Sequence, residues 1–139
     1  MPKHECFAFF CEDFRHEVGG KTSYMGVLGP KIDFGQESAE VPPDTREVMA
    51  KIVAVAMIRT NQRQNINLLA ELIIENGPDD VIKYLKSEHL LEVEEDQEET
   101  LIQFNAQLPN VPAHAGMKIT VKFDADGCLF EASLLLMRS

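Results

Sequence analysis

Between Ile119 and Met137 the side chains alternate with a period of two, and that alternation commits this end of the chain to β-strands. Ile119, Val121 and Phe123 are separated by Thr120 and Lys122. Asp124-Ala125-Asp126-Gly127 follows as a turn, because Asp tolerates tight turns and Gly takes positive φ without steric cost. From Cys128 the chain returns, with Phe130, Ala132, Leu134 and Leu136 on one face and Glu131 and Ser133 on the other, which Leu129 and Leu135 make partly apolar. A β-hairpin is the expected structure.

The same period recurs upstream. Ile102, Phe104, Ala106 and Leu108 share one face, and Gln103, Asn105 and Gln107 share the other. This reads as a half-buried antiparallel strand ended by Pro109 and Pro112. Phe7–Phe14 is aromatic-rich and suits a strand, Gly19-Gly20 supplies a turn, and Lys21–Ile32 returns. Gly26 and Gly29 inside that return point to a bulge or a close backbone approach.

The middle carries mixed signals. In residues 47–59, Ala and Met favour helix and Asp44 with Glu47 has capping-box spacing. The β-branched Ile52, Val53, Val55 and Ile58 crowd a helix, and strand is favoured, with helix as the alternative. Asn67–Asn76 is a further apolar run ending at the turn signal Asn76-Gly77-Pro78. Residues 79–87 are expected to form a short helix, capped by Asp79 or Asp80, with Val81, Ile82 and Leu85 inward. Residues 92–99 hold six acidic side chains and are expected to form a solvated loop.

Length and composition bound the rest. At 139 residues the chain fits one domain, 1–139, and 45% hydrophobic residues suffice for a core. The net charge of -10, with no Lys/Arg cluster, argues against nucleic acid and against an anionic membrane surface. The Met1–Cys6 opening lacks the apolar run of a signal peptide, and the longest such run, Ile52–Ile58, is far short of a membrane span. With three cysteines in no disulfide spacing, a reduced, cytoplasmic protein is expected.

The segment from Phe7 to Ile32 contains Cys11-Glu12-Asp13-Phe14-Arg15, then Gly20-Lys21, then Gly26-Val27. It resembles the opening of a domain family of bacteria and their phages, with the pattern C-[DE]-D-x-R-x-E…G-K-x-S…G. Glu12 stands where that family usually has Asp, and Gly29 stands where an apolar or aromatic residue is common. Near the other end, residues 116–121 and Asp126-Gly127 match a common sandwich hairpin. The resemblance implies a β-sandwich and a phage or prophage setting. It implies no activity, because the family has no established biochemical role.

Candidate site residues are few. Glu12, Asp13, Arg15 and His16 are the most polar part of an apolar strand, and Lys21 lies across the turn. They offer a ligand-contact or catalytic carboxylate, or an ion pair that anchors the first hairpin; the anchor is favoured. His114 lies in a loop before the last hairpin, where function concentrates. Cys6 and Cys11 are five apart, so a strand places them on opposite faces, and inert thiols are favoured over zinc. Asp124 and Asp126 lack the further oxygen ligands of a calcium loop. No cofactor, metal or catalytic motif is expected.

The fold expected from all this is all-β, an antiparallel sandwich of about seven or eight strands with the one short helix. Such a fold exposes edge strands, so a homodimer or higher homo-oligomer is expected, with a further protein partner as an alternative. The leading functional expectation is a non-enzymatic binding or interaction module, acting through an edge strand or the loops at one end. The rivals are a sequestering pocket or hydrolase using Glu12, Asp13, Arg15, His16 and His114, and a virion or assembly component.

Overall fold

A computed structural model describes residues 4–19, 21–29, 31–33, 47–76, 80–93, 98–113 and 116–137. Nine strands run through them: β1 (His4–His16), β2 (Thr22–Leu28), β3 (Lys31–Asp33), β4 (Glu47–Thr60), β5 (Ile66–Asn76), β6 (Val81–Leu91), β7 (Thr100–Ala113), β8 (Met117–Ala125) and β9 (Cys128–Met137). A four-stranded antiparallel sheet has the order β2-β1-β4-β7. A five-stranded sheet has the order β3-β9-β8-β5-β6, antiparallel except where β3 joins β9 in parallel. The fold is an all-β sandwich. Among the described residues no helix is long and apolar enough to cross a membrane.

The core lies between the sheets and follows strand parity. Ile66, Leu68, Ala70, Leu72 and Ile74 of β5 point inward, as do Met117, Ile119, Val121 and Phe123 of β8. From the other sheet come Phe10, Ile52, Ala54, Ala56 and Ile58. Ile102, Phe104, Ala106 and Leu108 of β7 pack against them, on the one face expected. Phe10 and Phe123 are almost wholly buried, and each contributes about 1.5–3 kcal/mol by leaving water.

The last hairpin forms at the expected turn. Asp126 and Gly127 both take positive φ, 48° and 92°, and Ala125 pairs with Cys128 across them. Two mirror-type turn residues match the twist of the flanking strands. The Asp124 carboxylate accepts from the Gly127 amide at 2.7 Å, and Asp126 Oδ1 accepts from the Asn67 amide at 3.3 Å. Both carboxylates therefore hold backbone.

Residues 47–59 belong to a strand, the favoured reading, and the burial explains the helix-like composition. β4 is covered on both faces. Ile52, Ala54, Ala56 and Ile58 face the other sheet, while Val53 and Val55 are buried on the outer side with Cys11. A strand buried on both faces loses its polar alternation.

Two expectations are corrected. Of the segment expected as a short helix at 79–87, residues 81–87 belong instead to strand β6, paired with β5 from Ile66↔Leu91 to Glu75↔Val81. The Asp80 carbonyl accepts from the Asn76 amide at 2.8 Å, closing a hairpin rather than capping a helix. The Asp and apolar spacing read as a helical start, but the open side of β5 takes this segment as its partner. Pro109 and Pro112 do not end β7, which runs to Ala113 and pairs both prolines with β4. β7 is an edge strand, where a missing N–H is tolerated.

Candidate functional site

The polar residues of the first hairpin sit beyond a bend. β1 leaves β4 after the pair Cys11↔Val53. Gly26, across from Glu12 on β2, has φ +65°, which L side chains rarely adopt. A methyl group there would also come within 2.7 Å of Glu12 Oε2. The bend folds the far part of the hairpin over the outer face of the four-stranded sheet. Phe14 and Tyr24 then cover Cys11, Val53 and Val55 together with Phe9 and Met57. Tyr24 meets Phe9 edge-on at 5.3 Å, and its hydroxyl donates to Asn105 Oδ1 at 3.0 Å on β7. Burial foremost raises the Tyr24 phenol above its ordinary value of 10.0, and the Asn105 bond opposes this.

The candidate residues differ in their surroundings. Asp13 is half-buried, and its Oδ1 accepts from the Phe14 amide at 2.8 Å. Glu12, Arg15, His16 and Lys21 are exposed. No ion pair joins Glu12 to Arg15 or Lys21 among the described residues. The His16 ring meets Phe14 edge-on at 5.5 Å, and the Lys21 carbonyl accepts from the Glu17 amide at 2.7 Å to close the turn. His114 lies outside the described residues.

The cysteines divide as strand parity requires. Cys11 is buried under the folded hairpin, and Cys6 points to the core between the sheets. Burial, then the neighbouring Cys128 thiol, push the Cys6 thiol from 9.0 up to about 12. At neutral pH Cys6 therefore stays a thiol and is a poor nucleophile. Among the described residues no His/Cys/Asp/Glu group is placed to hold a metal ion.

Of the nine large apolar side chains exposed among the described residues, four lie along β6. Val81, Tyr84, Leu85 and Leu90 are each more than half exposed. Pairing with β5 puts Leu85, Ser87 and His89 on the inner face and Tyr84, Lys86, Glu88 and Leu90 on the outer. His89 closes part of the inner face by a tilted ring contact with Phe104 of β7, with centroids 4.5 Å apart, and it bonds Ser87 Oγ at 2.8 Å. Beside them the two sheets gape. A cleft of about 500 Å³ opens between β6 and β7, floored by Ala54, Ala70, Leu72 and Ala106, with Leu85 and Leu108 at its walls. On the outer face Tyr84 donates to Glu71 Oε2 at 3.0 Å, which raises its phenol above the ordinary value.

β6 was missed as a site because a segment read as a helix cannot be read as a sheet edge. The signal that could have found it is Val81–Leu91 itself, an apolar run with polar residues scattered on both parities. No family model matches the chain, and a search of curated proteins finds no similar sequence.

Proposed function

We propose that this chain is a non-enzymatic interaction module that engages another polypeptide at the free side of β6. The single supporting observation is the exposure of β6. It is 11 residues long, carries no Pro or Gly, and leaves large apolar side chains in water on both faces. An unpaired strand of this kind offers a row of N–H and C=O groups to an incoming strand, and its side chains select which one. A phage or prophage setting is part of the proposal only through the resemblance of residues 7–32.

The cleft between β6 and β7 favours a second reading, a sequestering pocket for a small apolar molecule. Its volume of about 500 Å³ lies within the usual range for ligand sites, roughly 300–1,000 Å³, and its floor is apolar.

Photo-crosslinking in the host separates these. A photoreactive side chain at Leu90 on β6 is expected to give a defined crosslinked polypeptide, and the same group at exposed Leu129 on β9 is expected to give none. Absence of a crosslink at Leu90, with a small mass that travels with the protein in native mass spectrometry and leaves on denaturation, would replace the first reading by the second.

A further inference from the structure

Among the described residues the two sheets end in four edge strands, which are unequal in what they leave open. β3 has only three residues, and β2 has seven with Gly26 at positive φ among them. β7 carries Pro109 and Pro112. Short length, bends and proline are the features that blunt a sheet edge. β6 is 11 residues long and has no proline, and its one register shift lies at its start, between the pairs Glu75↔Val81 and Ile74↔Lys83, outside the stretch Tyr84–Leu90.

β6 also reads as its own complement about Ser87. One residue before Ser87 is Lys86 and one after it is Glu88; three before is Tyr84 and three after is Leu90. All four lie on the outer face. Lys86 and Glu88 are exposed and form no hydrogen bond or ion pair among the described residues.

We propose that β6 pairs with β6 of a second copy of this chain, antiparallel about a two-fold axis at Ser87, joining two five-stranded sheets into one continuous sheet. The inference rests on the reading of β6 as the interacting edge and names its occupant. In an antiparallel pair, residues directly opposite share a face, so a two-fold axis falls on a residue position and fixes every partner. With the axis at Ser87, each Lys86 lies opposite the partner's Glu88, and each Tyr84 lies opposite the partner's Leu90. On the inner face each Leu85 lies opposite the partner's His89. Opposite charges and aromatic–aliphatic pairs are the cross-strand neighbours that stabilise a sheet.

The neighbouring registers are penalised. Moving the axis to Lys86 sets that side chain against the partner's Lys86, and moving it to Glu88 sets two carboxylates together. Like charges directly opposite are destabilising. Lys83, inner and exposed, falls at the margin of the paired stretch Tyr84–Leu90. A contact one strand wide belongs to the small interfaces, so a dissociation constant in the micromolar range is expected.

The test uses the full chain and two charge reversals on an exposed surface, with circular dichroism to confirm that each variant folds. Sedimentation equilibrium is expected to show a monomer–dimer equilibrium for the wild type. Lys86→Glu and Glu88→Lys are each expected to weaken it about tenfold or more, because each sets like charges opposite twice. An equimolar mixture of the two variants, one carrying a heavy nitrogen isotope, is expected to recover a heterodimer in native mass spectrometry. In that pair both cross-strand contacts become Glu against Lys again. A wild type that stays monomeric through the micromolar range, a dimer indifferent to both reversals, or a mixture that fails to pair would each overturn the proposal. A monomer that still crosslinks a different polypeptide at Leu90 would remove self-pairing and leave the interaction module standing. No crosslink at Leu90 would remove both.

Discussion

Thr100 opens β7 opposite Thr60, and both are buried. The two hydroxyls differ in their surroundings. Thr60 Oγ1 accepts from the Gln62 amide at 2.9 Å and bonds His4 Nδ1 at 2.8 Å, whereas Thr100 Oγ1 has no partner among the described residues. A buried hydroxyl without a hydrogen bond costs about 1–3 kcal/mol, and an apolar group of the same shape removes that cost. Thr100→Val is therefore expected to stabilise the fold by about 1 kcal/mol, read as a higher urea midpoint with unchanged slope. A lower midpoint would mean that the hydroxyl is bonded in solution. At the same scale, Cys6 couples stability to alkaline pH. Its folded value of about 12 lies above the ordinary 9.0, so above pH 9 the unfolded chain releases this proton first. The contribution is complete below pH 9 and is lost as pH rises from 9 towards 12. Tyr24 adds a loss of the same sign above its ordinary value. Urea titrations across that window should show stability falling, and the fall should be shallower in Cys6→Ala. Equal slopes would contradict the burial of this thiol.

Among the elements, the first hairpin shows two costs that can be separated. Gly26→Ala meets a flexible, exposed carboxylate, which can move, and a backbone at φ +65°, which cannot. The backbone cost decides, at roughly 1–2 kcal/mol. Adding Glu12→Ala is expected to return little of it, and full recovery in the double variant would instead locate the cost in the side-chain clash. The bend itself was half legible. Gly26 marked a close approach, but nothing local announced that Tyr24 would cross the outer face to Asn105. That bond depends on β7 lying three strands from β2, beyond β1 and β4. β4 shows the opposite case. Its β-branched residues gave the strand, and the apolar run that obscured it became meaningful once the folded hairpin was seen to bury Val53 and Val55. For β6 the local pattern misled, because Asp80 before Val81, Ile82 and Leu85 resembles a helix start and the competing demand came from β5. The edge position of β6 is a property of strand order, which local periodicity does not carry.

For the molecule as a whole, the sheets are assembled from distant pairs. β1 joins β4, β4 joins β7, and β5 joins β8, so most of the sheet must close long loops before it gains stability. Refolding is expected on the millisecond-to-second scale typical of sandwiches, measured by stopped-flow circular dichroism. Microsecond refolding would argue against this strand order. Sandwich class, the final hairpin and the core face of β7 were legible because alternation is a local property. The candidate cluster Glu12, Asp13, Arg15 and His16 was legible as polar residues in an apolar strand, but the course of the bend at Gly26 was not. The chain contains no Trp and only two Tyr, and strand order places one on each sheet. Tyr24 donates to an amide under the folded hairpin, and Tyr84 donates to a carboxylate on the open edge. The protein thus carries two intrinsic optical probes with different hydrogen-bond acceptors. Tyrosine emission recorded with each one replaced by Phe in turn would report the two sheets separately, without an added dye.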